Sequence, residues 1–390
     1  MLFENLQTSK IKIFKKLKKN KSYPFSNKVI SVFDKISKRI LSDKSLISLP
    51  DVFSFGFWCR KNNLKILKKK FNKNKDDIGV GLIFHVPSSN IPVLPLYSLA
   101  FGVLTGNSNI IRIPKQNIVY LKKVISVIRE EFKSKNLHLN NLFISYNRDE
   151  KISKELSLIS NARMIWGSDK TIQKFKNYKT KQKCKDLMFG DKYSIAIFHL
   201  ENKDKKIMPK IIKKFYNDTF VVDQNACSSP SIIFWYRTEI RLISLFWKEL
   251  NKLVLKQYKI SYGISSKRFE YLNDLLIKYN NISLDSDEKN TFFRLKIDSN
   301  LNYKYFKGFA GIFFERHLES LKKFKKILNN KMQTLSFYGL SDASLNEVKK
   351  QISKKKSINR IVEIGRTLEM DFIWDGKNVY KSLTKKNVYQ

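Results

Sequence analysis

The order of apolar and polar positions in the middle of the chain predicts strands and helices in turn. Residues 79–85 form an apolar run typical of a buried strand, and the loop after it leads to Pro92, which suits the first turn of a helix. That helix is expected to end at Gly106, and the apolar run at 109–114 predicts a second strand. A strand, a helix and a strand within about 35 residues form a βαβ unit, so the pattern predicts a parallel sheet.

The alternation of helical and strand patterns continues on both sides of Gly190. Apolar residues with helical spacing predict helices near 118–132, 150–160, 169–175, 207–216, 239–255 and 345–352. Short apolar runs predict strands near 142–146, 162–166, 194–199, 311–314, 334–338 and 360–365. Residues 259–305 are too polar and irregular for a prediction. Strands that alternate with helices are typical of an α/β fold with an open parallel sheet.

Changes in composition predict four regions of the chain. Residues 1–75 are rich in lysine and show helical patterning, and residues 76–189 carry the first alternating units. Residues 190–370 carry the second set, and residues 371–390 form a basic C-terminal tail. The chain has no internal repeat and no G-x-G-x-x-G motif, so a standard dinucleotide-binding fingerprint is absent.

A cysteine lies in the polar stretch that separates two apolar runs of the second set. Cys227 belongs to the segment Asp-Gln-Asn-Ala-Cys-Ser-Ser-Pro at 223–230, and we predict that the runs 220–222 and 231–235 on either side are strands. A thiol on a tight loop between strand ends is held in place and stays accessible, as a nucleophile requires. The alternative is a small cysteine buried in a turn, which is the commoner role of a free cysteine.

The composition indicates a packed globular protein. The chain has 390 residues, 42% of them hydrophobic, and no stretch approaches the roughly 20 apolar residues of a membrane-spanning helix. The N-terminus lacks the layout of a signal peptide and three cysteines suit a reducing compartment, so we expect a cytoplasmic protein. Four scattered histidines and no paired cysteines argue against a structural zinc site.

The net charge of +42 has two explanations. Lysine is spread along the chain and Asn, Ile and Phe are abundant too; all four have A/T-rich codons, so a biased genome accounts for the excess. The alternative is a basic protein that binds nucleic acid or an acidic membrane surface. Specific recognition of nucleic acid would need a concentrated basic patch, so we expect no such partner. The charge attracts phosphate-bearing ligands in either case.

Seven short motifs follow one another between residues 79 and 380. They are His85-Val86-Pro87-Ser88-Ser89-Asn90-Ile91-Pro92, Leu104-Thr105-Gly106-Asn107, Trp166-Gly167-Ser168, Phe189-Gly190-Asp191-Lys192, Asp223 to Pro230, Met332-Gln333-Thr334 and Trp374-Asp375-Gly376. In this order the chain resembles the long-chain acyl-CoA reductases (LuxC type), a branch of the aldehyde dehydrogenase superfamily. The resemblance implies an aldehyde dehydrogenase-like α/β fold, with an open parallel-sheet NADP-binding domain at 76–189 and an α/β catalytic domain at 190–370. Residues 1–75 carry little of it, and we expect them to pack on the cofactor domain.

The resemblance assigns the chemistry of thioester reduction to two residues. It makes Cys227 the nucleophile, and it makes Asn90 the side-chain donor that holds the oxyanion together with the backbone N–H of Cys227. For Asn90 alone, an ordinary cap of the helix that follows is the alternative.

The resemblance also implies where the cofactor binds. Gly167 and Ser168 lie where a strand meets a helix N-terminus, and the N–H groups there favour a pyrophosphate; an ordinary N-cap is the alternative. Arg112 and Lys115 end the second strand, where the fold family binds the adenosine ribose with a lysine and often an acid. The acid is absent here, which implies NADPH rather than NADH. A lysine present by chance in so lysine-rich a chain is the alternative for Lys115.

The chain departs from the superfamily at two positions. Met188 stands where hydrolytic aldehyde dehydrogenases carry a general-base glutamate, so we expect an acyl-enzyme that water attacks slowly. The alternative is that Met188 is core packing and another acid, such as Asp191, serves as the base. The glutamate that positions the nicotinamide ribose has no clear counterpart, and Glu315 is the only candidate.

The expected activity is NADPH-dependent reduction of a long-chain fatty acyl thioester, acyl-CoA, to the aldehyde. A small acyl-CoA, an acyl-carrier protein or an acyl phosphate is the alternative substrate for an enzyme of this fold. The resemblance implies an acyl-protein synthetase or acyltransferase as partner and a homo-oligomer. The non-enzymatic alternative is a basic protein that binds nucleic acid or a membrane surface.

Overall fold

The structure, a computed structural model, describes residues 2–3, 22–147, 149–280, 282–286, 290–297, 306–355 and 357–387. The chain divides into two units. The first contains Met1–Asp191 together with Met370–Gln390, and the second contains Lys192–Glu369. From the sequence, the divisions were expected after residues 189 and 370.

The first unit is built on a parallel sheet whose strands alternate with helices. Its strands are β1 (Leu2–Phe3), β2 (Asp77–Gly79), β3 (Leu82–Val86), β4 (Ser108–Arg112), β5 (Asn141–Ile144), β6 (Ala162–Trp166) and β7 (Lys185–Phe189). Its helices are α1 (Asn27–Ser42), α2 (Lys44–Ile47), α3 (Pro50–Trp58), α4 (Lys61–Phe71), α5 (Leu94–Leu104), α6 (Ile118–Lys133), α7 (Glu150–Ile159) and α8 (Asp169–Lys176). The sheet runs in the order β1-β5-β4-β3-β6-β7 with every pair parallel, which confirms the predicted fold class.

The apolar run at 79–85 is two strands rather than the single strand predicted. Gly81 takes a φ of +131° between β2 and β3, a conformation that favours glycine. A Cβ atom at this position would lie 2.6 Å from the side-chain oxygen of Asn161. As a result β3 enters the parallel sheet, whereas β2 pairs antiparallel with residues 384–386.

The lysine-rich N-terminal region packs on the first unit through one apolar face. Helix α1 begins after Ser26, whose side chain accepts a hydrogen bond from the Val29 N–H at 3.4 Å. The buried face of α1 carries Val29, Ile30, Val32, Phe33, Ile36 and Ile40. These residues share one core cluster with side chains of α5 and α6, so residues 22–75, the main described part of this region, belong to the core of the first unit.

The second unit contains a seven-stranded sheet. Its strands are β8 (Tyr193–Phe198), β9 (Pro230–Tyr236), β10 (Ile282–Ser286), β11 (Phe293–Ile297), β12 (Ile312–Leu318), β13 (Met332–Tyr338) and β14 (Arg360–Glu363). Its helices are α9 (Met208–Thr219), α10 (Ile240–Gln257), α11 (Tyr262–Lys278) and α12 (Asp342–Lys355). The order is β10-β11-β12-β9-β8-β13-β14, and only the pair β10–β11 is antiparallel. No helix in the described parts of either unit is long and apolar enough to cross a membrane.

The region 259–305, which was too irregular for a prediction, contains α11, β10 and β11 within its described residues. Helix α11 buries few side chains, and one of them is Arg268, whose guanidinium donates to the carbonyls of Asn290, Thr291 and Ala310. A charged residue inside the buried stripe hides the apolar periodicity that predicts a helix. Tertiary contacts therefore decide this region.

The C-terminal segment belongs to the first unit instead of forming a separate tail. It contains β15 (Ile373–Trp374), β16 (Lys377–Asn378), α13 (Val379–Leu383) and β17 (Thr384–Lys386). Strand β17 pairs with β2. The side chains of Phe372, Trp374, Val379, Tyr380 and Leu383 are buried in the same core cluster as α1 and α5. Burial of these apolar side chains joins the two ends of the chain.

Candidate functional site

The loop that carries Cys227 begins with a short helix, and the prediction of a strand at 220–222 is wrong. Residues Phe220–Val222 follow α9 directly as a 3-10 helix. The Phe220 ring is buried in the core cluster that contains α9 and α10, so the run is apolar because it packs there, not because it pairs in the sheet. Asp223 and Gln224 come next with φ values of 50° and 55°, in the left-handed region. The predicted strand at 231–235 is confirmed as part of β9.

A serine of the neighbouring strand holds the Cys227 carbonyl. The Ser194 hydroxyl donates to this carbonyl at 2.7 Å and accepts from the Thr334 N–H at 3.1 Å. Ser194 is fully buried at the start of β8, and Thr334 lies in an irregular part of the β8–β13 pairing. The Cys227 side chain itself is partly exposed. The loop therefore fixes the backbone of this residue and leaves its thiol accessible.

The other two cysteines are poorly suited to form a thiolate. Cys59 is fully buried, and burial raises the pKa of its thiol well above the ordinary value. For Cys184, burial and then the charge of Asp186 raise the pKa of the thiol to about 11. Since the thiolate is the nucleophile, these raised pKa values make Cys59 and Cys184 poor nucleophiles near neutral pH.

Buried polar atoms without hydrogen-bond partners lie on the Cys227 loop and on the strand tied to it. Within the described residues, they are Ser228 Oγ, Ser229 Oγ, Gln333 Oε1 and Thr334 Oγ1. Buried polar groups are normally satisfied, so atoms of this kind often face a ligand or ordered water. Their place beside Cys227 is consistent with a polar binding site there.

Asn90 lies in the loop between β3 and α5 and is exposed. It does not cap the helix that follows, because α5 begins after Val93 and has no side-chain cap. The loop is held by the Ser89 carbonyl, which accepts from the side-chain amides of Gln116 and Asn117 at 3.2 Å each. The structure therefore does not support the alternative that Asn90 caps this helix.

Arg112 is the last residue of β4 and is partly buried. Its guanidinium carbon lies 5.1 Å from the centre of the Tyr146 ring, and its Nε atom is buried without a hydrogen-bond partner among the described residues. Lys115 begins a short 3-10 helix three residues later and is exposed. A buried unsatisfied donor beside an exposed lysine fits an anionic group, as a 2′-phosphate on the adenosine ribose would be.

Ser168 caps α8, and the N-terminus of that helix already has acceptors. The Ser168 hydroxyl accepts from the Thr171 N–H at 3.3 Å. The Asp191 carboxylate accepts from the Asp169 N–H at 3.3 Å, and the Asp169 carboxylate accepts in return from the Asp191 N–H at 3.2 Å. The ordinary N-cap is thus present, and a pyrophosphate at Gly167 and Ser168 would have to displace or face two carboxylates.

Five of the six expected site residues lie at one edge of the first sheet. Asn90 follows β3, Arg112 ends β4, and Gly167 follows β6, while Lys115 and Ser168 are close behind in the sequence. Strands β4, β3 and β6 are adjacent and parallel, so their carboxyl ends meet at the same edge. Ligands of open α/β sheets bind at this edge. Cys227 belongs to the second unit.

Met188 and Glu315, the two residues considered for roles that the resemblance implies, both lie in packed environments. Met188 is buried on β7 in an apolar cluster with Leu82, Phe84 and Ile165, as the core-packing alternative expected. The thioether is no base in either interpretation.

Glu315 is buried on β12, and its carboxylate is fully engaged. It accepts from the indole N–H groups of Trp235 and Trp247 at 2.9 and 3.0 Å, and from Arg294 Nε at 3.0 Å. These contacts make Glu315 part of the core of the second unit. They argue against the candidate role of binding the nicotinamide ribose.

Sequence reasoning missed three residues that hold the Cys227 loop: Ser194, Gln224 and Tyr258. The Tyr258 hydroxyl donates to the Asp223 carboxylate at 2.7 Å, and Gln224 is buried. Gln224 belongs to the motif at 223–230. A polar residue between two apolar runs was the only sequence signal that could have singled it out. Ser194 and Tyr258 have no local signal, since their partners are distant in the sequence. Among the described residues, no group of three or more His, Cys, Asp or Glu side chains could hold a metal ion.

Comparisons with known proteins agree with this architecture. The profile of the family described as acyl-CoA reductase (LuxC) matches residues 59–259. Glyceraldehyde-3-phosphate dehydrogenase GapN from Methanocaldococcus jannaschii, solved with NADP, is 13% identical with a TM-score of 0.69, over 98% of this chain and 94% of that one. An NAD-dependent aldehyde dehydrogenase from Sinorhizobium meliloti is 9% identical with a TM-score of 0.70, over 98% and 87%. Aldehyde dehydrogenase 21 from Physcomitrella patens is 11% identical with a TM-score of 0.66, over 92% and 85%. A search of the curated proteins finds no match.

Proposed function

Because the chain belongs to the acyl-CoA reductase (LuxC) family, we propose that it reduces a long-chain fatty acyl thioester, acyl-CoA, to the aldehyde with NADPH. Family and fold make it an oxidoreductase of aldehyde chemistry; the acyl donor, the chain length and the cofactor are the proposal. The observation that carries it is the loop at Cys227, which fixes the backbone of a partly exposed thiol in the second unit.

The proposed reaction begins at the Cys227 thiolate. Its sulfur attacks the thioester carbonyl carbon, and the carbonyl oxygen becomes an oxyanion that the Cys227 N–H and the Asn90 side chain would stabilise. The carbon–sulfur bond to CoA then breaks, and CoA leaves as a thiolate. NADPH, when bound, supplies a hydride to the carbonyl carbon of the acyl-enzyme. The resulting thiohemiacetal oxyanion collapses to the aldehyde and returns the Cys227 thiolate.

The residues at the edge of the first sheet would hold the cofactor. Arg112 and Lys115 would bind the 2′-phosphate, because two cations and no neighbouring acid end this strand. Gly167 and Ser168 would approach the pyrophosphate from the N-terminus of α8, where Asp191 now accepts a backbone N–H. The proposed scheme uses no metal ion.

The acyl donor and the assembly of the enzyme are further parts of the proposal. An acyl-carrier protein, or an acyl group passed on by an acyl-protein synthetase or acyltransferase partner, would present the same thioester carbon to Cys227. We propose a homo-oligomer, which the family resemblance implies, and a cytoplasmic location, which the three cysteines suit. The net charge of +42 favours encounter with the phosphates of CoA and NADPH at low salt.

Labelling of the thiol tests the proposal. Acyl-CoA with a labelled acyl group, supplied without NADPH, should leave the label on the protein, and addition of NADPH should release it as aldehyde. Cys227→Ala should lose both labelling and turnover while it keeps the thermal transition of the parent. Cys184→Ala, the matched control, should keep both. Label on Cys184 or Cys59 in the parent would contradict the proposed mechanism.

A further inference from the structure

Two consecutive residues of the nucleophile loop, defined as residues 223–230, hold an unfavourable backbone conformation. Asp223 and Gln224 both have positive φ values, 50° and 55°, and neither is glycine. Such a conformation is unfavourable for a residue with a Cβ atom. It persists only where surrounding contacts determine it, so the contacts of these two residues are informative.

The Gln224 carboxamide bridges the two ends of the nucleophile loop and a second segment. Its Nε2 donates to the Pro230 carbonyl at 2.8 Å, and its Oε1 accepts from the Gly311 N–H at 3.1 Å. The side chain is 2% exposed, so both hydrogen bonds are shielded from water. The amide has one orientation only, because a flipped amide would set oxygen against the Pro230 carbonyl and nitrogen against the Gly311 donor.

The second segment is shaped to receive this side chain. A Cβ atom at Gly308 would lie 2.3 Å from Gln224 Nε2, so the absence of a side chain there makes room for the amide. Ala310 has a φ of 48° and donates its N–H to the Asp223 carbonyl at 3.0 Å. Residues 223–224 and 310–311 all have positive φ values and meet through two hydrogen bonds, one from the Ala310 N–H to the Asp223 carbonyl and one from the Gly311 N–H to Gln224 Oε1.

Cys227 lies midway between the two points at which Gln224 holds the loop. It is three positions after Gln224 and three positions before Pro230. The Ala226 carbonyl accepts from the Ser229 N–H at 2.9 Å, so the residues in between form a tight turn whose direction depends on its two ends. The direction of this turn sets where the Cys227 thiol and its backbone N–H point.

We propose that Gln224 is a positioning residue for the Cys227 nucleophile, acting through its hydrogen bonds to Pro230 and Gly311. The inference deepens the proposed function and rests on it, since it assigns to Gln224 the alignment of the thiol and of the oxyanion donor. Misplacement of a reacting group by about 1 Å lowers rates by roughly 100-fold. A residue that never touches the substrate can therefore be essential to turnover.

Two substitutions in the full chain test the role. Gln224→Met keeps the length and volume of the side chain and removes both hydrogen bonds. We expect kcat for acyl-CoA reduction to fall by about 10- to 100-fold with a smaller change in KM. We also expect alkylation of Cys227 by iodoacetamide to slow and its pH profile to shift. Gln351→Met, which changes another buried glutamine far along the chain, should alter thermal stability only.

If Gln224→Met fails to fold, Gln224→Glu provides a second test of the positioning role. A protonated glutamic acid reproduces the amide, because its O–H donates to Pro230 and its C=O accepts from Gly311, whereas the carboxylate loses the donor. Alkylation of Cys227 in Gln224→Glu, relative to the parent at each pH, should therefore recover as the pH is lowered. A purely structural residue would change stability without this dependence.

The outcomes separate this inference from the proposed function. If a folded Gln224→Met variant keeps the alkylation profile and kcat of the parent, Gln224 has no positioning role, even where the parent reduces acyl-CoA. The same holds if Gln224→Glu shows no recovery at low pH. If alkylation responds as expected but the parent does not reduce acyl-CoA, the positioning of the thiol is supported and the proposed reaction is wrong.

Discussion

At the scale of single residues, the fate of the acyl-enzyme depends on whether a base can activate water. Met188 is buried in an apolar cluster, and a thioether accepts no proton. Asp191, the alternative base, has its carboxylate bound to the Asp169 N–H. A positioned base typically speeds attack by water about 100- to 10,000-fold, and we propose that neither residue provides one. The acyl group should therefore stay on Cys227 until a hydride is transferred to it.

We predict that the acyl-enzyme hydrolyses slowly. With acyl-CoA and no NADPH, release of free fatty acid should be at least about 100-fold slower than aldehyde formation with NADPH, as measured by chromatography of both products. If Asp191 is not the base, as we propose, Asp191→Asn should leave acid release unchanged. Met188→Leu, which preserves burial and volume, is the control. A parent that hydrolyses acyl-CoA as fast as it reduces it would rule out this account.

At the scale of elements, the carboxyl ends of parallel strands gather the residues proposed for the cofactor. Strand β4 ends with Arg112, whose Nε is buried without a partner in the described residues, and Lys115 opens the 3-10 helix that follows. Each of the two cations would add a charge-assisted contact to a 2′-phosphate. They would therefore favour a ribose that carries this phosphate over one with a free hydroxyl. We therefore propose that this strand end binds NADPH.

We predict that Lys115→Glu shifts the cofactor preference toward NADH. A charge-assisted contact to phosphate contributes about 1.5–3 kcal/mol, so the affinity for NADPH should fall by roughly ten- to a hundred-fold while that for NADH changes little. Fluorescence titration of the parent and the variant with both cofactors measures this. Lys122→Glu, an exposed lysine on α6, makes the same change in net charge and should have little effect. Equal affinity of the parent for both cofactors would mean that Lys115 has no such role.

At the scale of the whole molecule, the first unit is assembled from both ends of the chain. The segment from Met370 onward packs with residues 1–191, although 178 residues of the second unit, Lys192–Glu369, come between them. Phe372 is fully buried, and its ring lies 4.8 Å from that of Phe101 and 5.6 Å from that of Phe25. The C-terminal residues are thus part of the core of the N-terminal unit.

We predict that Phe372→Ala destabilises the first unit by about 3–5 kcal/mol, because it leaves a cavity among aromatic side chains. Ile373→Ala is a matched control, since the neighbouring Ile373 is 43% exposed and should cost less than about 1 kcal/mol. Chemical denaturation of both variants, followed by tryptophan fluorescence, gives the comparison. Similar stabilities for the two would show that the C-terminal segment contributes little to the core.

The sequence by itself determined the class of the fold and the family. Alternating strands and helices have periodic patterns that are local, so β3, α5 and β4 were predicted close to their positions. The motif around Cys227 can be recognised from its eight residues alone, and the order of seven such motifs indicated the family. These inferences succeed because each rests on neighbours along the chain.

Only the tertiary structure decided the features that depend on distant partners. Residues 220–222 look like a strand, but they continue α9 because Phe220 is buried in the core of the second unit. The partners of Gln224 lie 6 and 87 residues away, and the hydroxyl of Ser194 meets a carbonyl 33 residues on. The C-terminal segment fills the core of a unit formed mainly by residues 1–191. Hydrogen bonds and packing between residues far apart leave no periodic trace in a sequence, so no local pattern could have shown them.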